Sequence, residues 1–123
     1  MKDFKNLEVW KKSHHLALST YAITIDFPKH ELYGLTSQVR RAAASIPANL
    51  AEGCGRSNDG DFHRFVQNAM GSTTEVEYHF LLARDLGLLS PETHRKVDVQ
   101  IQQLKRMLVG LNRKIEIERY QRK

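Results

Sequence analysis

The stretch Gln38–Arg56, QVRRAAASIPANLAEGCGR, decides how this chain folds. At about 100° per residue, Leu35, Val39, Ala43, Ile46 and Leu50 form one apolar helical face, and Gln38, Ser45, Asn49 and Glu52 fall within roughly a 60° arc beside it. Pro47 leaves the Ala43 carbonyl without its usual amide partner, which predicts a bend rather than a break. Gly53 and Gly55 follow where the pattern ends, so a helix is expected over about residues 31–53.

Similar signals appear on both sides of this helix. Leu7, Trp10, His14, Ala17, Tyr21 and Ile25 repeat at spacings of three and four, predicting a helix over about 5–26 that Phe27-Pro28 stops. Ser57, Asn58 and Asp59 supply N-cap chemistry for a third helix, about 59–87, with Phe62, Phe65, Ala69, Thr73, Val76, Phe80 and Ala83 on its face and Gly87 near its end. Ser90-Pro91-Glu92 opens a fourth, about 91–119, whose seam is Val97, Ile101, Leu104, Leu108, Leu111 and Ile115. Each amphipathic face needs others to cover it, and no strand alternation competes. The expectation is all-α: an up-down-up-down antiparallel four-helix bundle forming one domain over residues 1–123. A weak symmetry accompanies it, since Asp61, Asn68, Ser72 and Glu75 repeat the spacing of Gln38, Ser45, Asn49 and Glu52.

The net charge of +5 is unevenly spread: +2 over residues 1–25, −3 over 26–94 and +6 over 95–123. The last helix therefore carries the positive charge. A lone cysteine, Cys54, cannot close an internal disulfide, and MKDFKNLEVW is too polar for a secretory signal, so the expected location is the cytoplasm. The longest apolar runs are far too short to span a bilayer.

The elements LEVW with His14 four residues after Trp10, then FPKHELYGLTSQVRRAAASIPANLAEGCGR, then GSTTEVEYH, resemble the "four helix bundle protein" family, which includes proteins encoded by intervening sequences within bacterial 23S ribosomal RNA genes. The likeness spans essentially residues 4–112. It implies a small cytosolic all-α protein that assembles into a ring-like homopentamer, with no biochemical activity assigned to most members. A more distant relative of the same shape, the accessory variability determinant of diversity-generating retroelements, is associated with nucleic acid and a reverse transcriptase through a basic surface. By position the family motif falls on Trp10, Gln38, Arg40, Arg41, Ser45, Asn49, Glu52, Gly53, Arg56, Gly71, Ser72 and Glu75. Ser13, His15 and the Thr73-Thr74 pair depart from the family pattern, which alters surface or packing detail only.

The candidate site is the polar seam of Gln38, Arg41, Ser45, Asn49, Glu52, Ser72 and Glu75. Its plain reading is structural: two facing polar rows satisfy each other and fix helix packing or subunit contacts. A ligand or nucleic-acid groove is the next reading, and acid-base catalysis by Glu52, Glu75 and His79 the weakest. Neither Glu52 nor Glu75 has a histidine three residues later, and there is no H-E-x-x-H, so no metal and no cofactor is expected. His14 is expected to be a hydrogen-bonded core or interface histidine, and His79 a partner of Glu75. Gly53-Cys54-Gly55-Arg56-Ser57 bears some likeness to a phosphate loop, but it lacks the lysine and the preceding strand, and no small-molecule substrate is evident.

The basic residues carry the sharpest alternative. Arg95, Arg106 and Arg113 project to one outward stripe of helix four with Lys96 and Lys114 beside it, while Arg40 and Arg41 lie off the core face of helix two. Lys105, Arg106, Arg113, Lys114 and Arg119, with Arg40 and Arg41, are the candidate RNA- or DNA-binding set. A homo-oligomer with no enzymatic activity, a homopentamer by resemblance, is the expected form of the protein. Nucleic-acid binding is the alternative role.

Overall fold

The computed structural model describes residues 3–122, and four α-helices carry them: α1 (Glu8–Thr24), α2 (Ser37–Cys54), α3 (Asp59–Asp85) and α4 (Pro91–Gln121). Helices consecutive in the chain pack against each other, and α4 returns to close on α1. Bonded pairs run in opposite order along neighbouring helices. Glu77 of α3 meets Gln102 and Lys105 of α4, whereas His63, four turns earlier, meets Glu116 and Arg119. Ser45 of α2 meets Ser72 of α3, while Gly53 lies against Phe62 and Phe65. Both interfaces are therefore antiparallel, as a bundle with short connections requires.

The caps expected from the sequence are formed. Asn58 Oδ1 accepts from the Asp61 amide at 2.8 Å, and Ser90 Oγ accepts from the Thr93 amide at 3.0 Å, with Pro91 opening α4. Gly87, at φ +75°, ends α3 in a Schellman turn in which the Leu88 amide donates to Ala83 and the Gly87 amide to Arg84.

The ends of the first two helices differ from expectation. Phe4–Asn6 forms a separate 3-10 turn and Leu7 is extended, so α1 begins at Glu8. Before α2, Lys29–Glu31 is a 3-10 turn and Leu32–Thr36 a wider π turn in which Gly34 leaves helical geometry. Glu31 accepts the Leu35 amide there at 3.2 Å, and a Cβ on residue 34 would lie 2.9 Å from that carboxylate. A local side-chain bond thus competes with continuous winding. Helix α2 runs unbroken through the buried Pro47.

The buried interior is continuous across all four helices, with Leu16, Val39, Ile46, Leu50, Val66, Val76, Phe80, Val97, Ile101, Leu104 and Leu108 almost wholly excluded from solvent. A smaller cluster of Phe27, Leu35 and Ala83 plugs one end. Helix α1 departs most from the expected pattern. It buries Val9, Ser13, Leu16, Ala17, Thr20 and Thr24, and leaves Tyr21 47% exposed, with Ile25 just beyond its end 74% exposed. The hydroxyls make this rotation tolerable: Ser13 donates to the Trp10 carbonyl, Thr20 to Leu16 and Thr24 to Thr20, each at 2.8 Å. A buried group satisfied within its own helix carries little desolvation cost. His14 is accordingly outside the core, exposed and stacked on Trp10 with ring centroids 5.0 Å apart.

Two pairs of changes test this packing. A Cβ at Gly53 would sit 2.9 Å from Phe65 Cβ, whereas at the exposed Gly110 it would meet nothing within 4 Å. Gly53→Ala should therefore lose about 1–3 kcal/mol by overpacking, while Gly110→Ala should gain about 0.5–1 kcal/mol from helix propensity, measured by urea denaturation. Glu77 is held below the usual carboxylate range by the hydrogen bond from Lys105, then by that from Gln102. Its contribution to stability is therefore present above the ordinary carboxylate pKa and lost as pH falls through its lowered value. Lys105→Met should move the Glu77 carboxyl titration upward, read by NMR.

Candidate interaction surfaces

The polar seam lies along the outer groove between α2 and α3, and the structure brings part of it together. Ser45 Oγ donates to the Ala42 carbonyl at 2.8 Å and is 2.7 Å from Ser72 Oγ. Its single proton being engaged, Ser72 supplies the proton of the hydroxyl pair. Among the described residues this is the hydrogen bond that joins the two rows. Asn49 turns back along α2, its Nδ2 donating to the Ser45 carbonyl at 2.7 Å. Glu52 pairs with Arg56 at 2.8 Å, and Glu75 with His79 at 3.2 Å. Mutual satisfaction of the rows thus amounts to one contact. Most of the seam faces solvent.

Glu52 and Glu75 are not brought together. Glu52 is one residue from Gly53, which packs on Phe62 and Phe65, while Glu75 is ten residues further along α3 than Phe65. At 1.5 Å per residue that is a separation of about 15 Å along the bundle. The two carboxylates cannot share a proton or flank one bond. Gln38, Arg41, Ala42, Ser45 and Glu75 instead line an open groove of about 330 Å³. His79 borders this region from α3. It is only 7% exposed and its Nδ1 has no hydrogen-bond partner.

The glycine segment at the α2–α3 turn does not form an anion cradle. Gly53 serves packing, Gly55 stays in right-handed helical geometry, and the first turn of α3 already carries Asp59 and Asp61. Those carboxylates answer the helix dipole and would oppose a phosphate. Cys54 is buried. Among the described residues there is no cluster of three or more His, Cys, Asp or Glu side chains suited to a metal, and no helix is long and apolar enough to cross a membrane.

The basic set divides in two. Arg40 is held against α1: its Nε donates to Thr24 Oγ1 at 2.8 Å and its guanidinium lies 4.9 Å from the Tyr21 ring centre. Lys105 is committed to Glu77 at 2.9 Å, and Arg119 donates to His63 Nδ1 at 3.1 Å. Arg41, Arg106, Arg113 and Lys114 are exposed and form no ion pair among the described residues. On the outward ridge of α4 the free arginines alternate with Val99, Val109, Ile117 and Tyr120, all exposed.

Sequence reasoning missed two features. Glu77, clasped by Gln102 at 2.6 Å and by Lys105, forms an inter-helix clamp whose partners are 25 and 28 residues away, and no local spacing announces it. The exposed apolar residues at one end of the bundle, including Leu18, Tyr21, Ile25, Leu32 and Tyr33, were also concealed. For Tyr21 and Ile25 the signal was an apolar stripe at helical spacing, which pointed to the core, while Leu18, Leu32 and Tyr33 belonged to no such stripe.

Known proteins share this architecture. A protein of unknown function from the S23 ribosomal protein family of Bacteroides thetaiotaomicron superposes with a TM-score of 0.76 at 20% identity, over 85% of this chain and 97% of its own. No curated protein matches the chain. The model of the family described as 23S rRNA-intervening sequence protein matches residues 5–110. With most of its length so matched, the chain belongs to the 23S rRNA-intervening sequence protein family.

Proposed function

We propose that this protein is a cytoplasmic, non-enzymatic assembly module that works as a homo-oligomer, a pentamer by the family resemblance. One observation carries the reading: α1 buries Ser13, Thr20 and Thr24, while Leu18 (57%), Tyr21 (47%) and Ile25 (74%) just after its end are exposed. Those apolar side chains lie on the face of the segment opposite Val9 and Leu16, and covering them would gain about 25 cal/mol per Å² of apolar surface removed from water. Their outward setting is explained when another copy covers them. Leu32 and the 94%-exposed Tyr33 extend the same apolar surface into the α1–α2 connection. Contiguous exposed apolar patches on a soluble protein mark interaction sites.

Light scattering on the purified protein should give a particle several times 14.2 kDa. Leu18→Asp combined with Ile25→Asp should lower that mass without loss of helical circular dichroism, since both side chains are largely exposed. A wild-type monomer at micromolar concentration would refute the assembly reading.

A second reading rests on the α4 ridge. Arg106, Arg113 and Lys114 lie exposed and unpaired among the described residues, and the oligomer repeats that ridge in every copy. Clustered cations bind nucleic acid by releasing counterions, without sequence preference. Structured RNA or DNA should bind at about 50 mM salt and weaken steeply by about 200 mM. Arg106→Ala with Arg113→Ala should reduce the slope of log affinity against log salt by about two, whereas Arg40→Ala should leave it unchanged. No binding at low salt would retire this role.

A further inference from the structure

We propose that the outward ridge of α4 docks the bundle side-on against an anionic lipid surface. The ridge is a straight stripe. At about 100° per residue, Arg95, Val99, Arg106, Arg113, Ile117 and Tyr120 fall within roughly a 60° arc, opposite the buried Val97, Leu104, Leu108 and Ile115. From Arg95 to Tyr120 the stripe runs about 38 Å at 1.5 Å per residue, with Val109 and Lys114 on its two flanks. All eight of these ridge and flank residues are exposed.

Charge names the occupant. Arg95, Arg106, Arg113 and Lys114 form no ion pair among the described residues. The carboxylates of α4 are engaged or turned aside. Glu92 pairs with Lys96 at 3.4 Å, Glu116 lies 3.4 Å from His63, and Asp98 accepts from Gln102 at 3.3 Å. Asp98, Glu116 and Glu118 also lie about 70° or more from the midline of the stripe. Asp59 and Glu77, which reach α4 from α3, are held by Arg122 and Lys105. A row of cations without opposing carboxylates attracts an anionic surface.

The apolar half of the stripe separates a lipid surface from other polyanions. A nucleic-acid backbone answers the cations alone and leaves the exposed Val99, Val109, Ile117 and Tyr120 unused. On a bilayer the same helix lies in the interfacial plane. Its apolar side chains enter the boundary between headgroups and acyl chains, while arginine and lysine beside them reach the lipid phosphates. Tyrosine is favoured at that depth, where its ring is apolar and its hydroxyl wet. The ridge is also convex, since it lies opposite the core seam, and a flat surface can touch such a ridge along its whole length.

Vesicle sedimentation tests the proposal on the full chain. Vesicles of one part phosphatidylglycerol to two parts phosphatidylcholine should carry the protein down at low salt, and vesicles of phosphatidylcholine alone should not. Arg106→Ala with Arg113→Ala should weaken that binding about 25-fold, at about fivefold per cation near an anionic surface. Ile117→Ser with Tyr120→Ser should weaken it by about tenfold while leaving any RNA affinity unchanged, since these side chains carry no charge. They are 51% and 80% exposed, so circular dichroism of the variant should match the wild type. The proposal is overturned by no sedimentation with anionic vesicles, by equal sedimentation with neutral ones, or by anionic binding that Ile117→Ser with Tyr120→Ser does not weaken. RNA binding without vesicle binding would overturn it too, and would leave the nucleic-acid reading standing.

Discussion

At residue 53 the backbone of α2 meets α3 with no side chain between them. Its Cα approaches Phe62 and Phe65 so closely that even a methyl group would collide, and Ala42, Ala43 and Ala69 keep the same interface thin further along. This close approach has two effects. It buries Ile46, Leu50, Val66 and Phe80 without residual exposure, and it sets Ser45 near enough to Ser72 for a 2.7 Å bond at the rim. On its other flank α3 is tied to α4 by the Glu77 clamp, which fixes the register of the two longest helices. Helix α1 completes the bundle by packing on α2 and α4.

The setting of α1 follows from which of its groups tolerate burial. Its inward face carries Leu16 and Val9, but also three hydroxyls that bond to carbonyls of their own helix. Such groups need no external partner, so their burial costs little, yet they contribute less than Tyr21 or Ile25 would. Arg40 reinforces the rotation, since its bond to Thr24 and its stacking on Tyr21 hold that flank of α1 beside α2. Tyr21 and Ile25 accordingly stay on the outer surface of the bundle.

The core of α2, α3 and α4 was legible because its apolar residues recur at three and four with little competition, as Val97, Ile101, Leu104 and Leu108 show. The caps at Asn58 and Ser90 and the turn at Gly87 were legible for the same local reason. Helix α1 was misread because Trp10, His14, Tyr21 and Ile25 have the right period for a core face, and periodicity does not say which surface covers a stripe. The interruption near Gly34 and the fates of Arg40 and Lys105 depend on side-chain partners that spacing within one helix does not reveal. Of the seam, Ser45–Ser72 and Glu75–His79 were readable as juxtapositions. The separation of Glu52 from Glu75 required the register of two antiparallel helices.

The same partnering divides the positive charge by purpose. Arg40 and Lys105 serve inter-helix contacts, which leaves the exposed cations of α4 concentrated on a ridge that also bears Val99, Val109 and Ile117. Fields from such ridges fade over about 10 Å at 0.1 M salt, so copies in an assembly reinforce one another only where their α4 helices are brought near. Where the α4 helices of separate molecules stay further apart than that, each ridge acts with its own charge alone.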